Sequence, residues 1–199
     1  MIVETTTLGN SDELLDSEER RLLLEIARRA LEESAGGEPQ SKLELTSLPS
    51  RLTEPGATFV TLTINNELRG CIGALEATQP LAEDVRIHAV AAALDDYRFT
   101  AVQPEEVPRI SIEVSRLTSP KLIECNSPED LLQSLRPGID GVILREGNRR
   151  ATFLPQVWKK VPEPEKFLSM LCRKMGAPSD YWKGEKIQIY TYQVEEFHE

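Results

Sequence analysis

The sequence predicts an α+β fold built on antiparallel sheet, and three observations carry that reading. Strand-like and helix-like stretches are mixed without the regular alternation that a doubly wound parallel sheet requires. Two hairpin signals lie far apart, around Asn65-Asn66 and around Glu146-Gly147-Asn148, which permits two lobes. The 199 residues are 40% hydrophobic and 28% charged, so the chain can bury roughly 70% of its unfolded surface without an external staple.

Residues 1 to 13 are polar and expected to be loose. The first helix follows, with Leu15, Leu22, Leu23, Ile26, Ala30 and Leu31 at helical spacing, Asp16 and Glu19 as a capping box, and Gly36-Gly37 as its stop. Residues 38 to 55, rich in Ser, Pro and Leu, read as a packed connector. A strand over 58 to 64 turns at Asn65-Asn66 into a returning strand. Pro80 fits the first turn of a helix whose Glu83 and Asp84 complement its positive end, with Leu81, Val85, His88 and Ala92 on one stripe. Then come a strand over 109 to 117, an extended piece over 121 to 124, and a short helix started by Pro128. The second hairpin pairs 139 to 145 with 150 to 154. Two more helices are expected at 155 to 160 and 165 to 175, and the β-rich run 186 to 194 reads as one terminal strand.

The formal net charge of −10 argues against a general nucleic-acid binder and against anionic membranes. No apolar run approaches the roughly 18 residues of a membrane span, and residues 1 to 9 lack the pattern of a secretory signal, so the expected location is cytoplasmic. Three cysteines, Cys71, Cys125 and Cys172, have neither the number of a disulfide framework nor the spacing of a zinc site. No metal site is expected, and the sequence names no cofactor.

The most informative stretch is Leu68-Arg69-Gly70-Cys71-Ile72-Gly73, which sets a thiol between glycines inside an apolar run. In an extended chain Arg69, Cys71 and Gly73 share one face, with Leu68, Gly70 and Ile72 on the other. A guanidinium beside a thiol favours the thiolate, and the glycines let a backbone or a ligand come close.

These residues resemble the AMMECR family, for which this hexapeptide is the hallmark. The likeness continues through residues 80 to 85, Asp96-Tyr97-Arg98-Phe99, Ile112-Glu113-Val114-Ser115, Gly138-Ile139-Asp140-Gly141, residues 152 to 157 and Leu171-Cys172-Arg173-Lys174. It covers about 15 to 198, which makes 14 to 199 a single domain of this type. The resemblance implies an α+β fold of two unequal lobes, each an antiparallel sheet with helices. The larger lobe would hold both termini, and the smaller would lie roughly within 118 to 183. It also implies a cleft between the lobes faced by the hallmark, with Leu68, Arg69, Gly70, Cys71, Ile72, Gly73 and Arg98 as binding candidates. Proteins of this kind are associated with a Memo-like protein and a radical S-adenosylmethionine protein, without a settled reaction. Ala74 replaces an expected hydroxyl residue near the thiol, and Thr100-Ala101 replaces a proline-rich step.

Two functions compete. One is a binding component that receives a peptide, protein segment or metabolite, with Arg69 as an anchor for an anionic group. The other is an enzyme with Cys71 as nucleophile or redox thiol, Gly70 admitting substrate and His88 the one histidine placed to act as base. The bland readings stand beside them: Cys71 as a small packed residue, His88 as a core histidine, and Asp96 with Arg98 as a loop brace. Arg145, Arg149 and Arg150 give a basic spot best explained as a solvated turn. Gly138 and Gly141 around Asp140 suit a turn rather than a phosphate loop.

Overall fold

The computed structural model describes residues 14 to 184 and 186 to 199, and the expectation for residues 1 to 13 falls outside them. The chain forms two units, one running to Leu117 and resumed by Glu195–Glu199, the other Thr118–Val194. Each has its own apolar core and its own antiparallel sheet.

In the first unit, helix α1 (Ser17–Ala35) starts at the expected capping box: Glu19 N–H donates to Asp16 Oδ1 at 2.8 Å, and Asp16 N–H to Glu19 Oε2 at 2.9 Å. The connector carries a 3₁₀ turn (Leu45–Ser47) and the single turn α2 (Ser50–Thr53), whose Leu52 is fully buried. Strand β1 (Pro55–Ile64) returns as β2 (Glu67–Gly73) through Asn65 and Asn66, both at positive φ (54° and 64°). Asparagine tolerates that left-handed region better than most residues, and two successive positive-φ positions suit the twist of a tight hairpin. The short β3 (Gln79–Pro80) leads into α3 (Leu81–Leu94), so Pro80 sits just before the helix rather than in its first turn. A 3₁₀ turn (Val107–Arg109) precedes β4 (Ile110–Leu117). The sheet order is β2-β1-β4-β9, with β3 also on β1 and β9 spanning Val194–His198.

Helices α1 and α3 pack together, and α3 lies against β1 and β2. The sheet residues turned toward them, among them Val60, Leu62, Ile112 and Val114, are wholly buried. Glu195 on β9 is fastened under α1: it accepts from Arg116 at 2.8 Å, from Arg20 at 2.9 Å and from the Leu15 N–H at 3.0 Å.

The second unit contains β5 (Lys121–Leu122), α4 (Pro128–Ser134), β6 (Gly141–Glu146), β7 (Arg149–Phe153), α5 (Pro164–Lys174) and β8 (Gln188–Tyr192), with sheet order β5-β8-β6-β7. The helix expected at 155 to 160 is a 3₁₀ stretch (Pro155–Lys159). Its Trp158 stacks on Phe167 of α5 with ring centroids 3.7 Å apart and donates to the Asp140 carbonyl at 2.6 Å. The single terminal strand expected over 186 to 194 is instead two. Strand β8 belongs to the second unit and β9 to the first, and the chain changes sheets at Gln193. There the Thr118 N–H donates to the Gln193 carbonyl at 2.9 Å, and the Gln193 N–H to Thr118 Oγ1 at 2.8 Å. Those bonds tie together the two points at which the chain leaves and re-enters the first unit.

Candidate functional site

Strand β2 is an edge strand, and its register on β1 decides where each hallmark side chain goes. Val60 pairs with Ile72, Thr61 with Cys71 and Leu62 with Gly70, but Thr63 pairs with Leu68. Arg69 therefore has no opposite number on β1, and the strand bulges there. The extra residue breaks the alternation that would put Arg69 beside Cys71. Gly70 and Ile72 face the helices, whereas Leu68, Cys71 and Gly73 are registered with the opposite side, on the parity of Phe59, Thr61 and Thr63.

The bulge carries Arg69 to the loop that follows α3. Its guanidinium donates to both carboxylate oxygens of Glu106, at 2.8 and 2.9 Å, and to the Thr100 carbonyl at 2.9 Å. This bidentate pair pulls the Glu106 carboxyl down to about 2 and raises the Arg69 pKa.

The guanidinium bonded to the Cys71 backbone belongs to Arg98. Asp96, only 4% exposed, accepts from the Cys71 N–H at 2.9 Å and from Arg98 Nη2 and Nε at 2.6 and 2.8 Å. Arg98 Nη2 in turn donates to the Cys71 carbonyl at 3.2 Å. Both outward backbone groups of Cys71 are thus satisfied by one side-chain pair, which stands where a neighbouring strand would be. Asp96 also accepts from the Arg98 N–H at 3.2 Å, an Asx turn that fixes the loop locally. The Arg98 hydrogen bond holds the Asp96 carboxyl well below the usual range, with the Cys71 N–H adding to it. The Arg98 pKa is raised, chiefly by Asp96 and in smaller part by Cys71 and Tyr97. Between the two members of the pair, Tyr97 stands 94% exposed, and the Arg98 guanidinium lies 5.5 Å from the Phe99 ring centre.

Cys71 is half-buried and accepts a hydrogen bond from Thr61 Oγ1 at 3.3 Å. The hydroxyl at the thiol thus comes from Thr61 on the neighbouring strand. His88 is not its partner. His88 Nδ1 lies 3.1 Å from Asp84 Oδ2, the oxygen that also takes the Thr58 N–H and hydroxyl, on the helix-facing side of the sheet. Thr58 and Thr61 have opposite parity on β1, so the sheet separates the imidazole from the thiol.

The glycines admit parts of the protein rather than a substrate. A Cβ on Gly70 would sit 2.1 Å from the Ala92 carbonyl oxygen of α3, and one on Gly73 would meet the Phe59 ring at 2.4 Å. Gly70 lets the helix lie directly on the strand, and Gly73 makes room for a cross-strand aromatic ring. The sequence did not point to Thr61, Phe59 or Glu106, because the first two meet the hallmark only through the register of β1 on β2 and Glu106 through a contact far along the chain.

The other cysteines lie in the second unit. Cys125 is exposed and Cys172 is buried, with burial pushing its thiol pKa up. Among the described residues no cluster of His, Cys, Asp and Glu could hold a metal ion, and no helix is long and apolar enough to cross a membrane.

Comparison with known proteins places this geometry in a family. A protein of Methanothermobacter thermautotrophicus is 38% identical over 190 residues, covering 93% of this chain and 96% of its own length. Protein MJ0810 of Methanocaldococcus jannaschii is 37% identical, covering 94% of this chain and 92% of its own. The crystal structure of the uncharacterised protein PH0010 from Pyrococcus horikoshii superposes with a TM-score of 0.75 at 36% identity, covering 93% of each chain. The family model described as AMMECR1 matches residues 24 to 197, which include the hallmark strand, its Asp96-Arg98 partner and nearly all of both units; the chain belongs to the AMMECR1 family.

Proposed function

We propose that the protein is a binding component that receives a peptide, a protein segment or a metabolite at the hallmark edge, as accessory to a radical S-adenosylmethionine protein and a Memo-like protein. The supporting observation is the Asp96-Arg98 clamp on Cys71. It uses the local charges to hold the edge strand while displaying Tyr97 and the half-exposed face of Arg98. Tyrosine and arginine dominate binding hot spots, because each offers large contact area with directional polar groups. The family resemblance supports the choice of partners. In the test, a purified radical S-adenosylmethionine protein and a Memo-like protein from the same genome are titrated with the wild type, Tyr97→Ala and Arg98→Lys. The variants weaken capture by about tenfold or more while the circular dichroism is retained. Equal affinity in all three proteins removes this surface from the reading.

The second reading, a Cys71-dependent enzyme, draws on the Arg98 charge near the thiol and the hydroxyl of Thr61 on its sulfur. The carboxylate beside Cys71, Asp96, is held by Arg98, and His88 lies on the other side of the sheet with Asp84, which favours binding over nucleophilic catalysis. Iodoacetamide alkylation separates the two. A thiol that reacts no faster than free cysteine at neutral pH counts against the enzyme, and a markedly faster one restores it.

A further inference from the structure

The two tryptophans of the chain, Trp158 and Trp182, both lie in the second unit and are almost wholly buried, at 2% and 3% exposure. Their indole N–H groups fare differently. Trp158 donates to the Asp140 carbonyl at 2.6 Å, whereas Trp182 Nε1 has no hydrogen-bond partner. An indole N–H can only donate, and a buried donor without an acceptor is costly enough that folded proteins seldom leave one.

Trp182 belongs to a 3₁₀ turn (Tyr181–Lys183) and walls a cavity of about 620 Å³, a size common for small-ligand sites. Every residue lining it falls within 122 to 131 or 182 to 189, so the second unit builds it alone. Buried Leu131 and Ile189, with the partly buried Ile123 and Ile187, make much of its wall apolar. Two charged residues also line it, Glu124 and Lys183. The Lys183 ammonium is held by Glu165 at 3.1 Å and lies 5.0 Å from the centre of the Trp182 ring.

We propose that this cavity is a binding site for a small neutral molecule with an apolar body and a carbonyl oxygen, an aryl amide or ketone, whose carbonyl accepts from Trp182 Nε1. The apolar wall suits the body, and the one unpaired donor suits one acceptor. A carboxylate fits less well, because Glu124 repels it and the Lys183 cation is already paired with Glu165. A hydrocarbon of the same shape leaves the indole N–H unpaired and forgoes the gain. Trp182 is so nearly covered that the carbonyl must enter first and seat against the inner wall, with the apolar body behind it. The site shares no residue with the hallmark edge around Cys71.

The test uses the full chain, ¹⁵N-labelled, whose two indole N–H signals are assigned by Trp182→Phe, a variant that keeps an aromatic ring. Titration of the wild type with acetanilide should move the Trp182 signal downfield and saturably, and leave in place the Trp158 signal, already bonded to Asp140. Propylbenzene, of similar shape but without an acceptor, should not move the Trp182 signal downfield. In Trp182→Phe, with its circular dichroism retained, acetanilide should bind about tenfold more weakly and propylbenzene much as before. A Trp182 signal that acetanilide leaves unmoved overturns the proposal. So does an equal loss of both probes in Trp182→Phe, or tighter binding of phenylacetate than of acetanilide to the wild type. The wild-type titrations decide the matter even if Trp182→Phe does not fold.

Discussion

At Asp96 one buried carboxylate serves the Cys71 N–H, the Arg98 guanidinium and the Arg98 N–H together. Replacing it with alanine leaves a strand N–H unpaired at a partly covered edge, and a buried donor without an acceptor costs about 1–3 kcal/mol. Asp96→Ala should therefore lower the unfolding free energy by that amount, seen as a lower urea midpoint with an unchanged slope, whereas Asp96→Asn, which keeps an acceptor oxygen, should lose less. The same carboxylates give the first unit a defined acid response. Asp96 and Glu106 both have depressed folded-state pKa values, Glu106 to about 2, against roughly 3.9 and 4.3 for unperturbed Asp and Glu. A depressed carboxylate contributes its stabilisation in full above its unfolded pKa and loses it as pH falls through the folded value. Stability from these pairs should thus be flat from neutral pH to about pH 5 and decline between about pH 4 and pH 2. Urea midpoints across that range should show a shallower decline for Glu106→Gln than for the wild type. An identical decline in both would separate Glu106 from the acid response.

At the scale of elements, β2 shows which part of the architecture is readable in sequence and which is not. Its existence and its turn follow from the strand run 58 to 64 and from Asn65-Asn66, and helix α1 is bounded by Asp16, Glu19 and Gly36 much as the local rules require. Local chemistry fixes such features because the partners are three or four residues apart. The bulge at Arg69 is different: it inserts a residue for the sake of Glu106 and Thr100, far along the chain, and perfect alternation gives no sign of it. The split of the last β-rich run into β8 and β9 is likewise invisible, since no Gly or Pro marks Gln193 and the break is made by pairing with Thr118. The thiol between glycines does point to a special strand, yet its glycines answer to packing. Gly70→Ala must push α3 away from the Ala92 carbonyl, and because the obstacle is helix backbone the neighbour cannot simply rotate aside. Overpacking of this kind costs about 1–3 kcal/mol or more, so the variant should show a lower melting temperature and faster exchange of the β2 amides. A wild-type melting temperature would mean that α3 can shift freely over the strand.

Across the whole molecule, the two sheets belong to two apolar clusters that share no residue. One is built around Leu23, Leu31, Val60, Leu62, Val85 and Ile112, the other around Leu131, Val142, Leu144, Phe167, Leu168 and Leu171. The chain enters the second unit after Leu117 and leaves it before Glu195, so this unit is an insertion between β4 and β9 of the first. A cluster with its own sheet and helices is the structural basis of a cooperative unit, and local stability follows such units rather than chain position. Cavities made in each core should therefore be felt unequally. Leu168→Ala removes a wholly buried side chain from the second cluster at a cost of about 2–5 kcal/mol, and Leu62→Ala does the same to the first. Native-state hydrogen exchange should show Leu168→Ala lowering protection in β6 and β8 more than in β1 and β4, with Leu62→Ala giving the reverse. Equal loss of protection in both sheets from either variant would mean that the two clusters unfold as one. The unequal pattern would show that the terminal strand β9 keeps its protection with the first unit, although it directly follows β8 in the chain, because Glu195 is held by Arg20 and Arg116 rather than by its sequence neighbours.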